Sequence, residues 1–549
     1  MNETLALYAA AGGALLYGAA RVKTRLELSL AKHRSLTGHP RMARRMAAQL
    51  PSYRYDETQA FGLDGAPPEV VGLRKTALAR LAAQFGERYA KSLALTRAAE
   101  GDISDMQFIA AYKLPYQFRE LFGKALKTGS FVQSTSGVTL TDMDGNVFYD
   151  LTGSYGVNLF GNDFYKDSIA QGSALVAELG PVLGSYHPVV ADNAQRLKAI
   201  SGMDEVSFHM SGTEAVMQAV RLARYHTGRT HLLRFCGAYH GWWGDVQPGI
   251  GNPVTERDTY TLKDMGEATL RVLRKRKDIA CVLVNPLQAL HPNIGAPGDS
   301  SLLDSSRQAH YDRAAYTRWL QQLREICTEK NIALIFDEVF VGFRLAPGGA
   351  QQYFGVQADM VTYGKTLGGG LPVGVVCGKH VWMKRYREEA PADICFARGT
   401  FNAHPYVMGA MNVFLQSLNT APIQALYAGQ DARWDQRVAD LNQRLQAAGL
   451  PVQVANMSSI WTVLYTQPAC YNFLLQHYLR LEGLALSWVG TGRFIFSLNY
   501  SDADFEAVAQ RFVRAAQAMQ ADGWWWHNPE LTNKSIKRRV LKEMLAKKF

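Results

Sequence analysis

The sequence predicts an α/β protein: a large domain on a mainly parallel sheet flanked by helices, joined to a smaller α+β domain. Three observations predict it. From about residue 190 onward, helical stretches (214–226, 313–329) alternate with the short apolar runs HLLRF, CVLVNP, IALIFDEV, MVTYGK and VGVVCG. Helix and buried strand in alternation make a sheet covered on both faces. After about residue 430, the segments SIWTVLYT and RFIFSLNY mark a second, mixed unit. Composition is the third: of 549 residues, 47% are hydrophobic and 19% charged. That is ample apolar mass for a large core, and it excludes a disordered, fibrous or polytopic membrane chain.

From the N-terminus, residues 1–30 read as an apolar helix. No charge interrupts Leu5 to Ala20, and Arg21, Lys23 and Arg25 follow. The uncharged run is shorter than the ~20 residues that comfortably span a bilayer. Two readings fit: a membrane anchor leaving the following chain in the cytoplasm, or an Ala/Gly-rich helix packed on protein. Residues 31–110 form a helical extension with no evident chemistry. Residues 111–170 open the smaller domain, with a hairpin over 138–153 turning at Asp144-Gly145. Residues 171–415 make the large domain. Residues 416–523 return to the smaller one, which is thus built from both chain ends. Residues 524–549 are a Trp-rich basic tail: Trp524, Trp525 and Trp526, then KSIKRRVLKEMLAKKF, in which Ile536, Val540, Leu541, Met544 and Leu545 recur at helical spacing. An interfacial amphipathic helix has this pattern, and so does a helix docked on the body.

The net charge of +11 is terminal. Residues 1–50 hold eight Lys/Arg against two Glu, and residues 534–549 hold seven against one. A nucleic-acid-binding enzyme would carry a basic stripe along its body, so no nucleic acid is expected as partner. Two basic ends suit an anionic membrane surface. The six cysteines are scattered without a CxxC. Neither a disulfide framework nor a metal site is expected, and a reducing, cytoplasmic setting fits.

Four segments carry chemistry. In IALIFDEV, five apolar residues run into Asp337, an acid at a buried strand exit that calls for a cationic partner. In MVTYGKTLGGGLPVG, Lys365 follows another short strand, where desolvation would favour the free amine that a Schiff base needs. In HMSGTEAVMQAVRLARYHTG, Ser211, Gly212 and Thr213 open a helix, placing backbone N–H groups and two hydroxyls where a phosphate could sit. In FCGAYHGWWGD, Tyr239 and His240 follow a strand and offer an aromatic to a flat ring. Taken singly, a strand-end cap or magnesium ligand, a surface lysine, a plain N-cap and a core aromatic also explain them. Together they meet the requirements of pyridoxal 5′-phosphate (PLP).

The ordered motifs SGTEA, YHG, DEV, GFR, GK, GGG, PVG and GTF resemble the class III PLP-dependent aminotransferases of fold type I. LIFDEVFVGFR and GGAQQYFGVQADMVTYGKTLGGGLPVG bring the likeness closest to the glutamate-1-semialdehyde aminomutase branch. The resemblance covers about 135–520 and makes 171–415 the PLP-binding domain. It implies that Lys365 is the Schiff-base lysine and later the proton carrier, and that Asp337 partners the pyridine nitrogen. It implies Val339 and Tyr239 against the two ring faces, with Gly212 and Thr213 at the phosphate. It also implies a homodimer, with Thr400 of ARGTFNAHP reaching the neighbouring subunit's phosphate, and Tyr155 lining the substrate pocket.

Departures qualify it. Asn285-Pro286 stands where the family usually has Glu-Pro. The glutamate that aminomutases carry before the strand matching RFIFSLNY falls near Gly492, beside Arg493. The loop after YHG differs, with Trp242, Trp243 and QPGIGNP. Trp242 would add apolar surface to the entrance. Arg119 of YQFRELF lies roughly where aminomutases bind a carboxylate, or is a solvated helical arginine. An aminomutase must retain its diamine intermediate, and altered loops disfavour that. The expectation is therefore a ping-pong aminotransferase with an amino-acid donor and a carbonyl acceptor, lipophilic if both termini dock on membrane. Glutamate-1-semialdehyde 2,1-aminomutase is the alternative, and a catalytically silent membrane scaffold a remote one.

Overall fold

The computed structural model describes residues 2–34, 39–112, 114–129, 131–247, 251, 254, 257–291, 305–486 and 492–546. The large domain is built on seven strands: β1 (Glu205–His209), β2 (His231–Phe235), β3 (Thr259–Leu262), β4 (Ile279–Val284), β5 (Ala333–Asp337), β6 (Met360–Gly364) and β7 (Gly374–Gly378). Their order is β1-β7-β6-β5-β4-β2-β3. β7 runs antiparallel to both neighbours, and the remaining pairs are parallel. The inner strands are apolar at consecutive positions because both faces are covered. Leu232, Cys281, Leu283, Ala333, Ile335 and Val376 face the helix Gly212–Thr227, which buries Ala215, Val216, Ala219, Val220 and Ala223 against them. The alternate residues Val282, Val284, Leu334, Phe336 and Val375 enter the main core with the helices Pro188–Ser201, Arg313–Glu329 and Pro405–Ser417.

The smaller domain draws on both chain ends. The hairpin strands Thr139–Asp142 and Val147–Asp150 pair around the expected turn, and Leu484–Ala485 adds in parallel to the second of them. Strands Val452–Met457, Ile460–Tyr465 and Arg493–Ile495 form a second sheet.

Two expectations are corrected here. The helical extension expected over 31–110 does not stand apart: its helix Pro68–Arg88 is part of the smaller domain's core, with Leu78, Leu81 and Phe85 packed among Tyr471, Phe473 and Trp524. Buried Arg74 pins it, pairing with Asp64 at 2.6 Å and lying over the Tyr471 ring at 4.6 Å. Nor are Trp524 and Trp525 interfacial. Trp524 is 0% exposed and Trp525 4%, and their indole N–H groups donate to Tyr478 Oη at 2.7 Å and Asn472 Oδ1 at 2.9 Å. A Trp with an apolar ring and a satisfied N–H suits a core as well as a headgroup zone. The helix Asn533–Ala546 docks through buried Ile536, and Glu543 accepts from Tyr55 Oη at 2.6 Å.

The helix Asn2–Ala31 projects from the body. Its last turn is held by Ala31, whose carbonyl accepts from Lys263 N at 2.9 Å, and by the Glu27–Lys275 ion pair. Tyr8, Leu15, Leu16 and Tyr17 are exposed. Among the described residues, no helix is long and apolar enough to cross a membrane.

Candidate active site

The chemistry-bearing side chains gather at the carboxyl edge of the parallel strands, where open α/β sheets bind ligands. They line one cavity of about 880 Å³. Asp337 ends β5 and Lys365 follows β6. The loops after β2 and β4 bring Tyr239, His240 and Asn285, and the turn after β1 brings Ser211, Gly212 and Thr213.

Asp337 is buried with both oxygens engaged. Oδ2 accepts from His240 Nδ1 at 2.7 Å, and Oδ1 accepts from Val339 N at 3.2 Å and Thr362 Oγ1 at 3.3 Å. Burial lowers the His240 pKa against the pull of Asp337. The His240 Nδ1–H faces Asp337 Oδ2 and orients the carboxylate from behind. Lys365 sits in the left-handed region, φ 49°, a conformation costing about 1–2 kcal/mol that turns its side chain off the strand into the cavity. Gly156, at φ +99°, makes room: a Cβ there would stand 2.7 Å from the Phe340 ring and 3.3 Å from Lys365 Cδ. Burial lowers the Lys365 pKa. Asp337 opposes this, and Arg493 and Arg344 add to it, so the uncharged amine is favoured.

Ser211 caps the helix Gly212–Thr227, accepting from Glu214 N at 3.3 Å, and its hydroxyl hydrogen stays available to a ligand. Gly212 packs against Val339, where a Cβ would meet Cγ1 at 2.6 Å. Val339 and half-exposed Tyr239 line the space, as does Tyr155. Asn285, the departure from Glu-Pro, caps the turn Pro286–Ala289 and donates to the Tyr239 carbonyl at 3.3 Å. An amide can bridge these backbone groups as both donor and acceptor; a carboxylate could only accept.

Three expected residues lie outside this cavity. Arg119 is exposed on the smaller domain, its Nε donating to Leu114 O at 3.4 Å. It opens the π-helical turn Arg119–Gly123 and does not line the cavity. Trp242 is 77% exposed, while Trp243 is the partly buried neighbour. Thr400 is exposed on the surface. Much of the QPGIGNP loop, residues 248–250 and 252–253, lies outside the described residues. Sequence reasoning missed Phe340, His291 and Arg493 as lining residues. Phe340 directly follows the DEV motif, which was a usable signal. The other two are assembled only by the fold. Among the described residues, no group of His, Cys, Asp or Glu could hold a metal ion.

The residues fit PLP: an acid partner, a desolvated amine and a helix start whose glycine a Cβ would close. When bound, PLP supplies the electron sink and the carbon that carries the amino group between substrates. Asp337 would keep the ring nitrogen protonated and Lys365 would hold and move protons.

The sequence matches the family aminotransferase class-III over residues 124–245 and 312–515, leaving 246–311 unmatched. A glutamate-1-semialdehyde 2,1-aminomutase of Nitratidesulfovibrio vulgaris is 34% identical over 346 residues, 62% of this chain and 78% of that protein. A solved transaminase with PLP bound is 26% identical, with a TM-score of 0.62 over 79% of this chain and 99% of its own. A glutamate-1-semialdehyde aminomutase from Pseudomonas aeruginosa, 18% identical, shares the fold with a TM-score of 0.66 over 82% of this chain and 99% of its own. On the family match and the shared fold, this protein belongs to the class III aminotransferases, PLP-dependent enzymes of fold type I.

Proposed function

We propose that the protein is an aminotransferase that moves an amino group from an amino-acid donor to a carbonyl acceptor by ping-pong exchange. The observation that carries this reading is the meeting of Lys365 and Asp337 in one cavity. The identity to an aminomutase favours a second reading, glutamate-1-semialdehyde 2,1-aminomutase. The deciding experiment mixes PLP-loaded protein with single amino acids and follows the visible absorbance. Full conversion with release of the matching keto acid supports transfer. Conversion only by a diamine or an amino-aldehyde supports the mutase.

The active unit in this reading is a homodimer. Thr400 is exposed between Phe396 and Phe401, which are 74% and 49% exposed. Exposed apolar aromatics beside a threonine that the family resemblance assigns to the partner's phosphate suit a subunit interface.

Membrane contact in this reading falls first to the N-terminal helix, through exposed Tyr8, Leu15, Leu16 and Tyr17 and the basic residues after them, with exposed Leu541 and Leu545 of the basic C-terminal helix in addition. Flotation with anionic vesicles tests it, and loss of flotation on deleting residues 1–25 supports it. The lipophilic acceptor expected from two membrane-seeking ends loses half its basis, because Trp524 and Trp525 belong to the core.

A further inference from the structure

One wall of the cavity is braced by the C-terminal tail. The family match ends at residue 515 and omits 246–311, and these two unmatched parts of the chain meet. Ser305 is the meeting point. Its N–H donates to Asn533 Oδ1 at 2.8 Å, its hydroxyl donates to the Gln467 carbonyl, and the same oxygen accepts from Asn472 Nδ2 at 3.0 Å. Trp525 holds both Gln467 and Asn472: Gln467 Nε2 donates to its carbonyl at 3.1 Å, and its indole N–H donates to Asn472 Oδ1. Next along the chain, Ser306 Oγ accepts from Lys537 Nζ at 2.8 Å. The tail thus secures residues 305–306 through Trp525, Asn533 and Lys537.

From there the cavity is two residues away. Arg307 donates from Nη2 to His291 Nε2 at 3.4 Å, and His291 lines the cavity. Arg307 fits beside Gly492, where φ is +55° and a Cβ would lie 3.1 Å from Nη1. Two residues of chain span at most about 7 Å, so a shift of Ser305 carries Arg307 with it. The tail has little freedom of its own. Ile536 is buried, and further along the same helix Glu543 accepts from Tyr53 Oη at 3.2 Å as well as from Tyr55. Partly buried polar groups that satisfy one another specify a single arrangement.

We propose that the tail is a positioning element of the active site. Asn533, assisted by Lys537, fixes residues 305–307 and through Arg307 the His291 wall, and so sets which substrate side groups fit the cavity. The inference goes beyond the aminotransferase reading and rests only on the PLP site. Misplacing a binding group by about 1 Å can cost up to about a hundredfold in rate, so a wall held by the tail is a means of selection.

The test treats PLP-loaded full-length protein with two carbonyl reagents and follows absorbance. Each condenses with the cofactor aldehyde and displaces the Lys365 amine. Hydroxylamine carries no side group to meet the wall, whereas O-benzylhydroxylamine carries a ring. Asn533→Leu removes the acceptor of the Ser305 N–H. In this variant the half-saturating concentration of O-benzylhydroxylamine should rise about threefold or more, while its limiting rate and the hydroxylamine rate stay within about 1.5-fold of wild type. Asn533→Asp keeps an acceptor oxygen and should restore the wild-type value. Lys537→Met should give a smaller rise, because its partner is on the surface. Hydrogen exchange by mass spectrometry is the second readout: amides of 305–311 should exchange faster in Asn533→Leu, with the helix Pro68–Arg88 unchanged. Urea unfolding checks that the variant folds, and Asn533→Ala replaces it if it does not. Unchanged half-saturation by O-benzylhydroxylamine, an equal loss with both reagents, unchanged exchange at 305–311, or no rescue by Asn533→Asp overturns the proposal. Wild-type protein that reacts with neither reagent sinks the PLP site as well. The two failures are distinct, because hydroxylamine reports the cofactor without the wall.

Discussion

Gly212→Ala should damage cofactor binding far more than folding. The added Cβ would stand 2.6 Å from Val339 Cγ1, 2.9 Å from Cγ2 and 3.3 Å from Cβ. Ordinary carbon contacts are about 3.5–4.0 Å, so Val339 must retreat by roughly 1 Å. Gly212 opens the helix Gly212–Thr227 without a positive φ, so Ala brings no backbone strain and gains up to about 1 kcal/mol of helix propensity. Overpacking costs about 1–3 kcal/mol. Together they leave a folding cost of about 0–2 kcal/mol. Val339 lines the cavity, however, and its displacement falls on the space for the cofactor ring. A loss of about 1–3 kcal/mol there weakens PLP binding by roughly 5- to 150-fold. The assay is PLP titration of apoprotein followed by absorbance, with urea unfolding in parallel. Val339→Ala removes the clashing methyls, so the double variant should bind PLP better than additivity allows, with a coupling of about 1–3 kcal/mol. PLP binding by Gly212→Ala within twofold of wild type, or no coupling to Val339, would refute the packing argument.

The other predictions concern protons, core and assembly. Attachment of PLP at Lys365 would need its uncharged amine, so the rate of PLP uptake by apoprotein should rise with pH through the lowered pKa and level off above it. Arg493→Met removes a like charge and moves that rise to higher pH, whereas Asp337→Asn removes the opposing charge and moves it lower; stopped-flow absorbance showing both shifts in one direction contradicts the electrostatics. Trp524→Ala should cost about 3–5 kcal/mol of stability by urea denaturation, while a peripheral membrane-seeking tryptophan would cost almost nothing. Mixing Lys365→Ala with Thr400→Ala protein should restore activity through hybrid dimers with one intact site, and unchanged inactivity argues against a shared site.

Strand-end chemistry was legible in the sequence because buried parallel strands are short apolar runs, and Asp337 and Lys365 interrupt such runs at their exits. The hairpin was legible from Asp144-Gly145, and the helix start from Ser211. Arg493 was not. A strand-edge arginine carries no local mark, and its setting depends on a segment nearly two hundred residues earlier folding beside Gly492. Arg119 misled because a helical arginine looks the same whether it faces solvent or a pocket. The tryptophans misled for a related reason: beside a basic tail, an interfacial cluster and a core cluster have the same composition, and only Tyr478 and Asn472 waiting for their N–H groups decide between them. The helix Pro68–Arg88 joins the smaller domain through buried Arg74, which lies over the Tyr471 ring and donates to the Gly523 carbonyl, partners about four hundred residues away in the chain.

The measurement closest to the central claim is borohydride reduction of the purified PLP-loaded protein followed by peptide mapping. The account predicts that the yellow colour is lost and that a single pyridoxyl group is found on Lys365, with none bound by Lys365→Ala protein. A pyridoxyl group on a different lysine, or a folded wild-type protein that takes up no PLP, would contradict it.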